Sequence, residues 1–279
     1  MNDPITFWNG LTGERWVDEQ PARDAMLRPF GDAAMHAARL AQGETVLDVG
    51  CGCGDTTVTL AGHVGPGGSV LGVDISAPML ARARERCALL LNVTLVEGDA
   101  AEHPAPSGRF DLLYSRFGVM FFRAPGAAFA HLRRALKPGG RAAFAVWRPL
   151  GDNPWAAIPM KAALEVLGTQ QPQDPHAPGP FALGDEARTR SLLEGAGFRD
   201  VALRAVDGTM GFGVSTSLDE VARAIARLGP VARLLADRDE ATVERTVAAL
   251  KRVVPPYLRP EGGAQFLAAA WVVTARNGG

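Results

Sequence analysis

Residues Thr45 to Asp55 read T-V-L-D-V-G-C-G-C-G-D. Five residues of strand character, Thr45 to Val49, run straight into glycines at Gly50, Gly52 and Gly54. Side chains missing at three alternate positions let backbone N–H groups come close to a ligand and admit dihedrals that other residues resist. The stretch therefore predicts a strand, a tight turn and a helix entrance, with a small molecule lying against the turn. Asp55 is placed to cap that helix, which should run to about Val64 and end at G-P-G-G, Gly65 to Gly68.

The same alternation continues downstream. Ser69 to Asp74, S-V-L-G-V-D, reads as a buried strand ending in a carboxylate. Ser76 is a candidate N-cap, with Pro78 in the first turn of a helix to about Leu90. Val93 to Glu97 is a third strand, closed by Gly98 and Asp99, and Phe110 to Ser115 is a fourth. A helix with Phe129, Leu132 and Leu136 on one face stops at L-K-P-G-G, and Arg141 to Trp147 forms a fifth strand. Strand–helix units with nearly continuous apolar strands imply an α/β fold with a parallel sheet covered on both faces. Ligands in such sheets bind beyond the carboxyl ends of the strands, which places Gly50, Asp74, Asp99, Ser115 and Trp147 along one edge.

Upstream, Glu14 to Leu27 and Asp32 to Leu40 have apolar positions at helical spacing, interrupted by Pro21 and Pro29, so two helices with a hinge are expected. Phe7, Trp8 and Trp16 are large for such a region and suit either core packing or a lid that closes on a ligand and excludes water. Farther along, Asn153 to Leu167 reads as helical, and Q-Q-P-Q-D-P-H-A-P-G-P at 170–180 is a proline-rich surface loop. Asp185 to Ala196 is a helix with Gly197 as its C′ residue, leading into a sixth strand at about Asp200 to Val206. A seventh strand covers Phe266 to Arg276. Between the last two strands, Ser217 and Glu220 form a capping box before Val221, Ile225 and Leu228. A second amphipathic helix carries Val243, Val247, Leu250 and Val254 until Pro255 and Pro256 stop it. The expected division is a helical lid at 1–43, a cofactor-binding core at 44–206, a helical cap at 207–265 and the last core strand at 266–279. The apolar stripes of the inserted helices need a cover, which a cap over an acceptor pocket provides and a homodimer contact provides alternatively.

Composition bounds the function. A chain of 279 residues, 47% hydrophobic and 21% charged, buries a substantial core. A formal charge of −1 gives no general footprint for nucleic acid or an anionic membrane, so neither is expected as a partner. The start M-N-D-P-I-T-F-W-N-G lacks the regions of a signal peptide, and no apolar run reaches membrane-spanning length, so a cytoplasmic location is expected. Three cysteines, two of them in the glycine turn, form neither a disulfide framework nor paired zinc-ligand clusters, and no metal is expected. Cys51 and Cys53 read as small turn residues.

A nicotinamide dinucleotide is the first ligand to weigh, since an acid about 20 residues beyond a glycine turn holds ribose hydroxyls. The glycines fit it poorly. G-x-G-x-x-G starting at Gly50 needs glycine where Asp55 stands, and starting at Gly52 it needs glycine where Thr57 stands. An acid at the helix entrance is also a poor neighbour for a pyrophosphate. Adenosine without phosphates suits the turn better.

At this point the chain resembles the class I S-adenosylmethionine-dependent methyltransferases, in particular the group that includes the ubiquinone and menaquinone biosynthesis methyltransferases. The resemblance rests on V-L-D-V-G-C-G-C-G-D, G-V-D-I-S at Gly72 to Ser76, V-E-G-D-A at Val96 to Ala100, F-D-L-L-Y-S-R at Phe110 to Arg116 and L-K-P-G-G-R at Leu136 to Arg141, and covers roughly residues 44 to 148. It implies a Rossmann-like fold with a seven-stranded, mostly parallel sheet and an antiparallel last strand, and S-adenosylmethionine as cofactor. By resemblance Gly50, Gly52 and Gly54 pass the methionine end, and Asp48 supports the turn or the amino group. Asp74 takes the ribose hydroxyls, Ile75 lies on the adenine face, and Asp99 with the Ala100 N–H meets the adenine edge. Ser115 and Arg116 face the sulfonium and the substrate. Trp8, Trp16, Phe117, Met120, Phe121, Trp147 and Arg148 are candidates for an apolar acceptor pocket, and Arg116 and His36 for a role in catalysis. The expected reaction moves a methyl group to an O, N or C nucleophile of a small organic acceptor by in-line displacement, where alignment and exclusion of water matter most. A nicotinamide-dependent oxidoreductase and a non-catalytic cofactor-binding module are the alternatives, the latter opposed by the presence of both Asp74 and Asp99.

Overall fold

In the computed structural model, which describes residues 4–103, 106–168, 174 and 176–278, seven strands form one sheet. They are β1 (Thr45–Val49), β2 (Ser69–Asp74), β3 (Val93–Glu97), β4 (Phe110–Arg116), β5 (Leu136–Trp147), β6 (Phe198–Phe212) and β7 (Ala264–Asn277), in the order β3-β2-β1-β4-β5-β7-β6. Strands β1 to β5 pair in parallel, and β7 runs antiparallel to β5. The order reverses between β1 and β4, and at such a switch point the neighbouring connections leave in opposite directions and open a crevice at the strands' carboxyl ends. β1 sits at the centre because Val46, Leu47 and Val49 fill both of its faces, and even Asp48 is fully buried.

Eleven α-helices are seen among the described residues: α1 (Pro4–Asn9), α2 (Leu11–Asp18), α3 (Gln20–Ala38), α4 (Asp55–Val64), α5 (Ala77–Cys87), α6 (Pro125–Ala135), α7 (Pro154–Leu167), α8 (Glu186–Gly195), α9 (Leu218–Ala226), α10 (Gly229–Leu235) and α11 (Glu240–Val253). β1, β2, β3 and α4 fall where the sequence places them, while β6 runs on to Phe212, beyond the expected Val206. The amino-terminal region also departs. Pro21 stands in the first turn of α3, where its missing N–H costs nothing, and α3 continues through Pro29 without a hinge. Pro29 and Ala25 are both exposed, so the carbonyl that loses its helical donor is left to water. The opposite face buries Leu27, Phe30, Ala34, Met35 and Ala38, which keeps the helix whole.

Three expected caps are also absent: Asp55 is itself the first residue of α4, which has no side-chain cap. Ser76 precedes α5 without capping it, because its hydroxyl donates to the Trp8 carbonyl at 2.7 Å. Ser217 makes no side-chain cap to α9. The caps that do form use carboxylates, Asp185 accepting from the Arg188 N–H and Asp239 from the Thr242 N–H, both at 2.7 Å. β5 starts at Leu136, earlier than Arg141, with a register irregularity opposite Phe110 and Leu112.

The chain divides into two compact units. The first holds residues 1–146, 178–206 and 270–279; the second holds 147–177 and 207–269. In the second, α7, α9, α10 and α11 pack on one another, and Trp147, Trp155, Phe212, Phe266 and Tyr257 form a chain of ring contacts. Asn153, fully buried, holds this unit's loops: its amide accepts from the Trp155 indole and the Ala269 N–H and donates to the Arg148 and Pro149 carbonyls. No helix among the described residues is long and apolar enough to cross a membrane.

Candidate functional site

The glycine turn after β1 is built from three glycines with distinct surroundings. All have positive φ: +69° at Gly50, +55° at Gly52 and +82° at Gly54. A Cβ on Gly50 would lie 2.8 Å from the Gly118 Cα, and one on Gly54 3.1 Å from the Ala83 Cβ. Those two are closed by neighbouring backbone and helix. At Gly52 the nearest atom to an added Cβ is the Met79 Sδ at 3.9 Å, so the middle of the turn has room beside it. The Gly52 N–H donates to Asp74 Oδ2 at 2.8 Å, and the Ser76 N–H to Asp74 Oδ1 at 2.9 Å. The ends of β1 and β2 are thereby joined through one carboxylate.

Burial raises Asp74 above the usual carboxylate range against the pull of its backbone N–H donors. Asp48 is more extreme. Burial pushes it up to about 6, against hydrogen bonds from the Thr57 and Thr56 hydroxyls and the field of Arg116. Its Oδ2 takes both hydroxyls, at 2.7 and 2.8 Å, while Oδ1 has no hydrogen-bond partner among the described residues. Asp99, at the end of β3, is exposed and accepts the Ala101 N–H at 2.8 Å, with Ala100 buried beside it. Ile75 is half-buried, and its carbonyl accepts from Asn9.

At the end of β4 the backbone crosses the turn. Ser115 is buried and donates to the Val49 carbonyl at 2.7 Å, while accepting the Gly118 N–H at 3.2 Å. Phe117 sits at φ +62°, a left-handed conformation costly for a bulky residue, with its ring edge-on to Phe30. Arg116, expected to face the sulfonium, directs its guanidinium to Asp55 at 2.8 Å and Asp24 at 3.0 Å. Asp55 also meets Arg86 and Arg28, and Asp24 also meets Arg86. Burial raises Asp55, but Arg116, Arg28 and Arg86 together hold it below the usual range; burial lowers Arg116, but Asp55 and Asp24 outweigh it. This network ties α3 and α5 to the entrance of α4. It leans on Gly31, where a Cβ would come 2.8 Å from the Arg116 Cδ and 3.3 Å from the Tyr114 hydroxyl.

The first helices lie over the β2 end. Asn9 donates to the Ile75 carbonyl and accepts the Ala77 N–H, both at 2.8 Å. Trp8 is edge-on to Phe7, Trp16 and Phe121, which brings the segment after β4 into the same aromatic group. Met120 is buried next to Phe121. His36 is exposed near the end of α3, away from that group. Trp147 and Arg148 belong to the second unit, where Trp147 packs on Trp155 and Arg148 pairs with Asp152 and Asp207. Residues 169–173 and 175 of the proline-rich loop lie outside the described residues.

Burial raises all three free thiols, Cys53 to about 12, so they are protonated at neutral pH and pack as small apolar groups. Among the described residues no group of three His, Cys, Asp or Glu side chains is arranged to hold a metal. Sequence reasoning passed over Asn9, Asp24, Gly31, Arg86 and Gly118. The W-N-G break between α1 and α2 and the glycine two residues past Arg116 carried a signal; the pairing of Asp24 with Arg86 and Arg116 spans 62 and 92 residues and carried none.

A turn open over Gly52 and an acid closing each of β2 and β3 fit an adenosyl ligand without phosphates. With the switch point between β1 and β4 and the antiparallel β7, they define the class I methyltransferase fold. Residues 46–140 match a family model described as a methyltransferase domain. The chain is 42% identical over 99 residues to demethylmenaquinone methyltransferase of Staphylococcus aureus, an aligned stretch of 36% of this chain and 41% of the relative. The chain thus spans less than half the length of the curated relatives it matches. Among solved structures it resembles a SAM-dependent methyltransferase from Aquifex aeolicus, with TM-score 0.52 and 24% identity, covering 70% of this chain and 91% of that one. It also resembles phosphoethanolamine N-methyltransferase 2 of Haemonchus contortus in complex with S-adenosyl-L-methionine, with TM-score 0.57 and 18% identity, covering 99% of this chain and 60% of that one.

Proposed function

We propose that this chain is an S-adenosylmethionine-dependent methyltransferase acting in the cytoplasm on an O, N or C nucleophile of a small organic acceptor. The observation that carries this reading is the junction of the Gly52 N–H with Asp74 beside the open middle of the turn. Bound there, S-adenosylmethionine supplies an electrophilic methyl group on a sulfonium. The remaining lone pairs of Asp74 receive the ribose hydroxyls, with Ile75 on the adenine face and Asp99 and the Ala100 N–H at its edge. Gly50, Gly52 and Gly54 pass the amino-acid end, and Asp48 supports the turn or the amino group.

Ser115 holds the backbone over the turn, and Arg116, through Asp55 and Asp24, keeps α3 in place. Trp8, Trp16, Phe117, Met120 and Phe121 provide an apolar wall that excludes water from the reacting atoms. Alignment supplies much of the rate in such a transfer, and an amine that is already neutral needs no base. No nucleic acid is required. A methyl-release screen over phenols, amines and carboxylic acids tests the proposal. Cofactor-dependent product with at least one class is expected, and binding without any turnover would leave the non-catalytic module as the better reading.

A further inference from the structure

A side chain of α5 grips the backbone of the glycine turn. Arg86 donates from Nη1 to the Cys53 carbonyl at 3.0 Å, between the second and third glycines, and from the same nitrogen to Asp24 Oδ2 at 2.8 Å. Its Nη2 donates to Asp55 Oδ1 at 3.1 Å. Arg116 takes the other oxygen of each carboxylate, Asp55 Oδ2 at 2.8 Å and Asp24 Oδ1 at 3.0 Å. Two arginines and two aspartates thus alternate in a closed ring, and Asp24 of α3 and Asp55 of α4 fix the Arg86 guanidinium from two sides. A planar fork can serve three acceptors in set directions, which the point charge of an ammonium does not.

The carbonyl that Arg86 holds lies just outside the helix that follows. The first carbonyl in the ladder of α4 is that of Gly54, which accepts the Val58 N–H at 2.9 Å, so the Cys53 carbonyl needs a donor from elsewhere. The other edge of the same peptide, the Gly54 N–H, donates to the Cys51 carbonyl at 3.0 Å. A peptide unit is planar, so partners on both its C=O and its N–H fix its rotation. With it they fix φ of Gly54, the +82° through which the turn enters α4. α5 closes the same point sterically, since a Cβ on Gly54 would lie 3.1 Å from the Ala83 Cβ and 3.6 Å from the Cys87 Sγ. Ahead of it, the Gly52 N–H is fixed on Asp74 at 2.8 Å. The open middle of the turn is thereby set by β2 on one side and by Arg86 on the other.

We infer that Arg86 is a positioning residue for the methyl transfer: through the Cys53–Gly54 peptide it keeps the turn in the shape that receives the cofactor, acting on the backbone and not on the cofactor. The inference rests on the proposed function. Calorimetry with S-adenosylmethionine on the wild type, Arg86→Met, Arg86→Lys and Arg28→Met, with the urea midpoint of each measured alongside, tests it. Arg86→Met weakens cofactor binding by about 10- to 100-fold, the loss that goes with one charged hydrogen bond. Arg28→Met takes a cation from the same Asp55, to which Arg28 pairs at 3.2 Å from outside the turn, and binds as the wild type does. Arg86→Lys keeps the charge and loses the fork, so its affinity falls by about threefold or more. With an acceptor from the screen, both Arg86 variants raise KM for the cofactor and leave kcat at saturating cofactor unchanged. A role in stability alone lowers the urea midpoint and leaves the affinity of the folded protein intact, and that result overturns the inference. Equal weakening in Arg86→Met and Arg28→Met overturns it too, by reducing the effect to charge balance around Asp55. If Arg86→Met does not fold, Arg86→Lys decides alone, with wild-type affinity as the contrary result. Failure of the wild type to bind S-adenosylmethionine is a different result and overturns the proposed function beneath it.

Discussion

Gly50 and Gly52 share a backbone conformation that side chains resist, yet their surroundings assign them different consequences. Gly50→Ala drives a Cβ to 2.8 Å from the Gly118 backbone and strains φ +69°, so a loss of roughly 2–3 kcal/mol of stability is expected in urea denaturation. Gly52→Ala meets no atom closer than 3.9 Å and costs only the backbone strain, about 1 kcal/mol, while its methyl group enters the space beside the turn. Its expected signature is a folded protein with cofactor affinity reduced at least about tenfold by calorimetry. Equal effects of the two substitutions on stability would contradict this assignment.

Asp48 makes a prediction with a definite sign. Its carboxyl rises from 3.8 to about 6 on folding, so between those values the native state keeps a proton that the unfolded chain has released. Its contribution to stability therefore falls as pH rises through that window, by about 3 kcal/mol for a shift of about two units, and is lost above it. Asp48→Asn should flatten that fall when the ligand-free chain is unfolded in urea at about pH 4 and about pH 7; a slope unchanged by the substitution would exclude Asp48 as its origin.

At the scale of elements, the strands were legible and the helices partly so. β1 to β3 agree residue for residue with their apolar runs because each run ends on a glycine or an acid that marks its boundary. Pro29 misled because a proline's cost depends on which carbonyl it strands, and here that carbonyl faces water. Ser76 misled because a capping hydroxyl can be drawn to a distant acceptor, the Trp8 carbonyl, 68 residues away. The same docking makes Asn9 a latch between α1 and the turn after β2, since one amide serves both Ile75 and Ala77. Asn9→Ala removes two hydrogen bonds of about 1 kcal/mol each, so amide exchange across α1 and α2 should accelerate by about tenfold or more while the sheet's exchange is unchanged. Exchange in α1 and α2 indistinguishable from wild type would show that the latch does not hold them.

Over the whole molecule, the parallel sheet follows from the alternation of strands and helices, and the antiparallel last strand from the resemblance that the five motifs carry. The charged network of Asp24, Asp55, Arg86 and Arg116 does not, because ion pairs between distant segments leave no periodic trace in a sequence. Nor does the grouping of residues 147–177 with 207–269 in one compact unit, since the two stretches share no motif and meet through long-range contacts such as the packing of α7 with α11 and the hydrogen bond from the Ala269 N–H to Asn153. The sheet edge that both levels agree on, from Gly52 through Asp74 to Asp99, is where the central claim is tested. Titration of S-adenosylmethionine into the wild-type chain and into Asp74→Ala, followed by calorimetry, should give saturable binding to the first and at least about 100-fold weaker binding to the second. No binding to the wild type, or equal binding to both, would contradict it.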